Sequence, residues 1–395
     1  MYENTLKGIR VLDFTWLLAG PYATRILADF GVEVIKVQSG KIATGVESNV
    51  TGYFSTWNRN KLGITLDMTC PEGRELAIRL VRISDVLVEN FTPRVMANWG
   101  LSYEMLKEVK QDLIMVSLSG MGQTGPWRDF AALGTTIQAL SGVTCLTSFG
   151  RNSPEGIGYS YADPLAGLFA AIAILSALEH RTRTGEGQYI DVSEYEAMCS
   201  LLGPTLLNYS VNGSLAMPKG NVSEYILAAP HGCYRCQGDD RWCVIAVFTE
   251  DEWLALCKVM DEPAWTKQKR FSGLSKRQQH AEELNRLLEQ WTINYTPEQV
   301  VNMLQEAGVP SGVVNDAADL STDPQLKSRG FFVQIPHPVH GNTSSDGTPI
   351  RLSRTPARFV RAAPLLGQDN RYVYRDLLGL SEEQFCQYIE KGVIA

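Results

Sequence analysis

The sequence predicts an α/β protein, with a parallel sheet in its first half and a smaller α+β domain after it. Three observations carry that reading. A strand, a turn, a helix and a second strand follow one another between Gly8 and Val37, which makes one βαβ unit. The same alternation continues to about residue 211. At 212–229 the composition turns to Gly, Ser, Asn and Pro, and beyond it the pattern is that of a hairpin followed by amphipathic helices.

Each element has its own reason. Gly8–Phe14 is a short apolar run suited to a buried strand, Ala19-Gly20-Pro21 a turn, Tyr22–Phe30 a helix closed by Gly31, and Val32–Val37 the second strand. Gly63–Leu66, Asp85–Glu89 and Leu113–Ser119 read as further strands, and Pro71–Ile83 as a helix opened by Pro and Glu. Ser119–Pro126 contains GxGxxG, yet Pro126 follows the last glycine and no acid stands about twenty residues on, so it reads as a backbone-rich loop and not as a dinucleotide fingerprint. Tyr189–Val192 is a strand leading into a helix capped by Ser193 with Glu196. The second grammar comprises a hairpin over Gly232–Cys236 and Trp242–Phe248, helices over Glu250–Met260, Asn285–Trp291 and Pro297–Ala307, and an extended Gly308–Val314. From Asp323 the chain reads as irregular until a helical tail begins at Ser381.

Composition excludes several classes. The 395 residues are 44% apolar and 20% charged with a formal charge of -7, which argues against nucleic-acid binding and for a small-molecule partner. No signal peptide and no membrane-length apolar run is recognised, so a cytoplasmic, non-membrane protein is expected. Eight cysteines in such a chain read as free thiols, and Cys233 with Cys236 lacks the second pair a zinc ribbon needs, so no metal is expected. GxSxG, P-loop and HExxH motifs are absent, and the five histidines form no triad spacing.

Asp163 stands out against that background. It precedes Pro164 and an apolar run that stays uncharged until Glu179, so Asp163 reads as the N-cap of an interior helix, with Pro164 at its first position. Capping is the commonest duty of such an aspartate. A carboxylate nucleophile is the alternative that the lack of histidine chemistry leaves open.

Val11–Thr15 with Ala19-Gly20-Pro21, Gly31–Lys36, Asn60-Lys61, Val88–Phe91, the loop Ser119–Pro126, Asp163 with Gly167, Thr184–Gln188 and Ala363–Gly367 together resemble the family III CoA-transferases, the group of formyl-CoA and carnitine CoA-transferases. The resemblance implies a large Rossmann-like domain built from 1–211 and 351–395, linkers at 212–229 and 323–350, a small domain at 230–322, and an interlocked homodimer, with a hetero-oligomer containing a related subunit as the alternative. It implies that Asp163 is the nucleophile, forming aspartyl anhydride and aspartyl-CoA thioester intermediates while CoA moves from an acyl-CoA to a carboxylic acid. CoA is then a substrate, with no tightly bound cofactor. The positions implied to meet CoA are Leu18, Ala19, Leu66, Asp67, Met68, Thr69, Asn90, Phe91 and Leu133. Lys61 or Arg94 would meet its phosphates in place of a family arginine that falls at Asn98. Leu18, Ser39 and Leu133 depart from the formyl-CoA transferase pattern, and the first and last favour a larger or more apolar acid over oxalate. A catalytically silent CoA-binding subunit is one competing reading. An α-methylacyl-CoA racemase is the weaker one, because its histidine would fall at Leu133.

Overall fold

The computed structural model describes residues 4–41, 43–150, 152–221 and 227–395. The chain divides into two compact units, one of Met1–Thr144, Gly156–Ala216 and Gln325–Ala395, the other of Cys145–Glu155 and Met217–Pro324.

The larger unit is organised by six strands: β1 (Arg10–Asp13), β2 (Glu33–Gln38), β3 (Leu62–Thr65), β4 (Val86–Glu89), β5 (Ile114–Ser119) and β6 (Tyr189–Ser193). All neighbours pair in parallel, in the order β3-β2-β1-β4-β5-β6. That order reverses direction between β1 and β4, the switch point where open α/β sheets leave a crevice beyond the carboxyl ends of their strands. Strands covered on both faces need continuous apolar runs. The sequence supplies them: Val11, Leu12, Val34, Ile35 and Val86 to Val88 are all fully buried.

The helices that matter for the site are α1 (Ala19–Asp29), α2 (Pro71–Arg82), α3 (Gly134–Leu140), α4 (Ala162–Thr184), α5 (Glu194–Ser200) and α6 (Gly203–Asn212). Ala19-Gly20-Pro21, expected as a turn, is the first turn of α1, since Pro is tolerated at the third helical position, where no N–H is required. The α1 and α4 helices pack closely at Gly167, where a Cβ would come within 2.7 Å of the Ala19 carbonyl oxygen.

Two expectations for α4 are corrected. Its N-cap is Tyr161, with Asp163 at the second helical position and Pro164 at the third. The helix is also not enclosed on every side. Ala166, Ala170 and Ile174 enter the core beside the sheet, whereas Phe169 and Ile172 on the other side are 42% and 61% exposed. Among the described residues α4 is also long and apolar enough to cross a membrane by length and composition, a match the sequence reading did not recognise, although one face of it lies in the core.

Residues after Asp323 are more regular than expected. β10 (Phe332–His337) and β11 (Gly341–Asp346) form an antiparallel hairpin, and the segment from Asp369 packs on the edge strand β3. There the Gly63 and Thr65 N–H groups donate to Asp369 Oδ2 and Asn370 Oδ1 at 2.8 and 2.9 Å.

The smaller unit holds the antiparallel strands β7 (His231–Arg235), β8 (Trp242–Ala246) and β9 (Ser311–Val313) against helices over Glu250–Val259, Ala281–Thr292 and Pro297–Glu306. Part of the expected linker, residues 222–226, lies outside the described residues.

Candidate active site

The site grows from the turn after β1. Asp13 is buried with Lys36 and Lys61, and its carboxylate takes hydrogen bonds from the Thr15 amide (2.8 Å), the Thr24 hydroxyl (2.7 Å) and Lys61 Nζ (3.0 Å). Burial opposes its ionisation, but the two ammoniums and the hydroxyls win and hold Asp13 below the usual carboxylate range. Lys36 donates to the Thr15 carbonyl, Trp16 exchanges two hydrogen bonds with the Asn90 side chain, and the Leu17 N–H donates to Glu47 at 2.9 Å. Leu17 is thereby held at a φ of 58°, a left-handed conformation that a leucine adopts only when its surroundings impose it. The turn is preorganised.

Beside it lies a cavity of about 280 Å³ at the carboxyl ends of β1 to β4, lined by Trp16, Ser39, Lys41, Glu47, Leu66 to Thr69 and Phe91 among others. Phe14 and Phe91 flank Trp99 with ring centroids 6.5 and 5.2 Å from it. These are flat apolar walls with polar groups at the rim, a shape suited to a planar heterocycle on a polar tether.

Asp163 sits in the first turn of α4. Its carboxylate accepts from the Ser160 hydroxyl and its own backbone N–H, and Gly134, first residue of α3, lies so close that a Cβ there would collide with Ser160 Oγ and Asp163 Oδ2. Burial raises the Asp163 carboxyl above its ordinary value against the pull of the Ser160 hydrogen bond. A desolvated carboxylate is the more basic and more nucleophilic for it. The Tyr53 hydroxyl is pushed up to about 12, first by burial and then by the charges of Asp163 and of the cavity residue Glu47.

The expected CoA-contact positions separate into groups. Leu66, Asp67, Met68, Thr69 and Phe91 line the cavity, and Asn90 holds the adjoining turn. Leu18 and Ala19 are buried at the entry to α1, and Ala19 belongs to the core cluster beside the sheet. Lys61 is corrected outright: it is fully buried and its ammonium is spent on Asp13, Pro21 O and Asn58, so it cannot reach a phosphate. Arg94 is exposed but bonded to Asp129 at 2.6 Å. Leu133 is exposed beside Gly134. Sequence reasoning missed Ser160, Tyr53 and Glu194, the last because Ser193 and Glu196 had already accounted for that helix start. An acid directly following a strand at its carboxyl end was the available signal.

The fold is that of an α/β enzyme with a cavity at the switch point of its parallel sheet. The model of CoA-transferase family III matches residues 6–370, and the chain belongs to that family. It is 36% identical to the succinyl-CoA–D-citramalate CoA-transferase of Chloroflexus aurantiacus, over 98% of each chain. It is 34% identical to the alpha subunit of a succinyl-CoA–L-malate CoA-transferase of Chloroflexus aurantiacus, over 98% of this chain and 92% of that one. Among solved structures, a CaiB/BaiF family protein from Brucella suis superposes with a TM-score of 0.87 at 32% identity, covering 95% of this chain and all of that one. The chain is a CoA-transferase, and CoA thioesters are its substrates.

Proposed function

We propose that Asp163 carries CoA between two carboxylic acids. Its carboxylate oxygen attacks the thioester carbon of an acyl-CoA, and the C–S bond breaks to leave a mixed anhydride and CoA thiolate. The thiolate attacks the Asp163 carbonyl, the donor acid departs with one former aspartate oxygen, and an aspartyl-CoA thioester remains. An acceptor carboxylate then runs the same two steps in reverse and regenerates Asp163. The observation that carries this reading is the placement of Asp163: a half-buried carboxylate with raised basicity, in the first turn of a long helix, packed directly against the backbone of Gly134.

The aromatic cavity at the ends of β1 to β4 holds the adenine end of CoA, with Lys41, Ser39 and Thr69 at its rim. Succinyl-CoA is the donor to try first, and a C4 or C5 hydroxydicarboxylate the acceptor, because the relatives named above carry those names. The protein works in the cytoplasm as a homodimer, supported by its free thiols and by the exposed apolar side of α4. The test is turnover of Asp163→Asn with a panel of CoA esters and acids read by mass spectrometry. A loss of ~10⁴-fold or more with unchanged CoA binding is expected, and turnover near that of the unaltered enzyme would remove Asp163 from the mechanism.

A further inference from the structure

Asp163 has a second carboxyl for company. Three helix starts meet around it: Gly134 opens α3, Asp163 lies in the first turn of α4, and Glu194 opens α5. One buried cluster joins them, made of Ile137, Ala162 and Met198 with Val143. Ile137 lies three residues beyond Gly134 and Met198 four beyond Glu194, so those two first-turn residues share a helix face with their contributions to the cluster, and Ala162 places the start of α4, next to Asp163, in the same cluster. Glu194 is 8% exposed, and among the described residues no cation pairs with it. Of the elements packed on α5, α3 carries no charged residue, the start of α4 brings only Asp163, and β6 brings Asp191, whose carboxylate is engaged by the Gln123 N–H. Glu196, on α5 itself, is exposed.

We propose that Glu194 serves the transfer reaction as a neutral carboxylic acid that donates its O–H to the acyl oxygen held against Asp163. This rests on Asp163 being the nucleophile. When Asp163 attacks the thioester, its negative charge passes to the former carbonyl oxygen; as the C=O re-forms the charge leaves with the thiolate, and the proton stays on Glu194 throughout. A carboxylic acid kept neutral by its site is an effective donor to such an oxyanion. Glu194 meets the requirement: its carboxyl is pushed up to about 8, first by burial and then by the like charge of Asp163. Burial persists when Asp163 is acylated, so the donor stays neutral through the cycle.

The experiment compares kcat against pH for the unaltered enzyme, Glu194→Gln and Glu194→Leu, with the covalent adduct at Asp163 mapped in each. In the unaltered enzyme kcat falls as pH rises past about 8, where Glu194 ionises. Glu194→Gln, which keeps a neutral donor, loses that alkaline limb and retains turnover at neutral pH within about tenfold, whereas Glu194→Leu loses ~10²-fold or more in kcat while still forming the adduct slowly. An adduct at Asp163 together with undiminished kcat in Glu194→Leu, or an alkaline limb that persists in Glu194→Gln, overturns the donor alone. Absence of any adduct from the unaltered enzyme overturns the nucleophile and the donor together.

Discussion

Glu89 ends β4 with its side chain in the core, and its carboxyl is pushed up to about 7 because burial outweighs the hydrogen bonds from Ser117 and the Phe91 amide, with Asp191 adding like charge. An acid whose folded pKa lies above its ordinary 4.5 binds more protons folded than unfolded between those values, so the folded state loses stability as pH rises through that window. Glu89→Gln is expected to flatten the decline, on the order of 1 kcal/mol per pH unit between about pH 5 and 7, as read by chemical denaturation at several pH values. An unchanged slope would mean that Glu89 is solvated in the native protein. At this scale the sequence revealed which residues are special but not what surrounds them. Asp163 could be singled out because it stands alone before an uncharged run. Lys61 and Glu194 were misassigned or missed because burial is a property of distant segments: Lys61 is neutralised by Asp13 on another strand, and Glu194 is desolvated by packing that no local pattern encodes.

Close approach between α1 and α4 fixes how deeply the first turn of α4 sits. Gly167→Ala puts a methyl group within 2.7 Å of the Ala19 carbonyl and 3.2 Å of the Tyr22 ring, so about 1–3 kcal/mol of stability should be lost. A lowered Tm together with a reduced kcat is expected, since displacing α4 displaces Asp163; a Tm equal to that of the unaltered enzyme would show the contact to be slack. The inner parallel strands were legible because two covered faces demand apolar runs, a pattern visible without any partner, whereas the edge strand β6, YIDVS with Tyr189 and Asp191 exposed, was read from the turn before it and the cap after it. β10 and β11 were not. Pro336 interrupts the first and GNTSSD carries no apolar alternation in the second, so their pairing owes nothing to a one-sided hydrophobic stripe. The start of α4 was displaced by two residues because Asp-Pro matches the N-cap preference, while the structure begins the helix at Ala162 and lets Ser160 hydrogen-bond to Asp163.

Over the whole molecule, one side of α4 and much of α6 present large apolar side chains to solvent, among them Phe169, Ile172, Leu207 and Val211. Faces of this kind mark association surfaces. On the proposal that a second copy covers this face, Ile172→Asp is expected to convert the proposed homodimer to monomer, read by light scattering, because a charge at the centre of an apolar contact is left unpaired; a protein that is monomeric before substitution would contradict the assembly. The apolar content of α4 was plain in the sequence, but a helix apolar on all faces looks the same whether its own core or a partner covers it. The proposed mechanism makes Asp163 the covalent carrier of CoA. It is tested most directly by incubating the protein with succinyl-CoA, trapping with borohydride or hydroxylamine, and mapping the product by peptide mass. A reduced or hydroxamate side chain is expected at Asp163, disappearing on addition of an acceptor acid before trapping; steady turnover with an unmodified Asp163 in every trapped sample would rule out the covalent route.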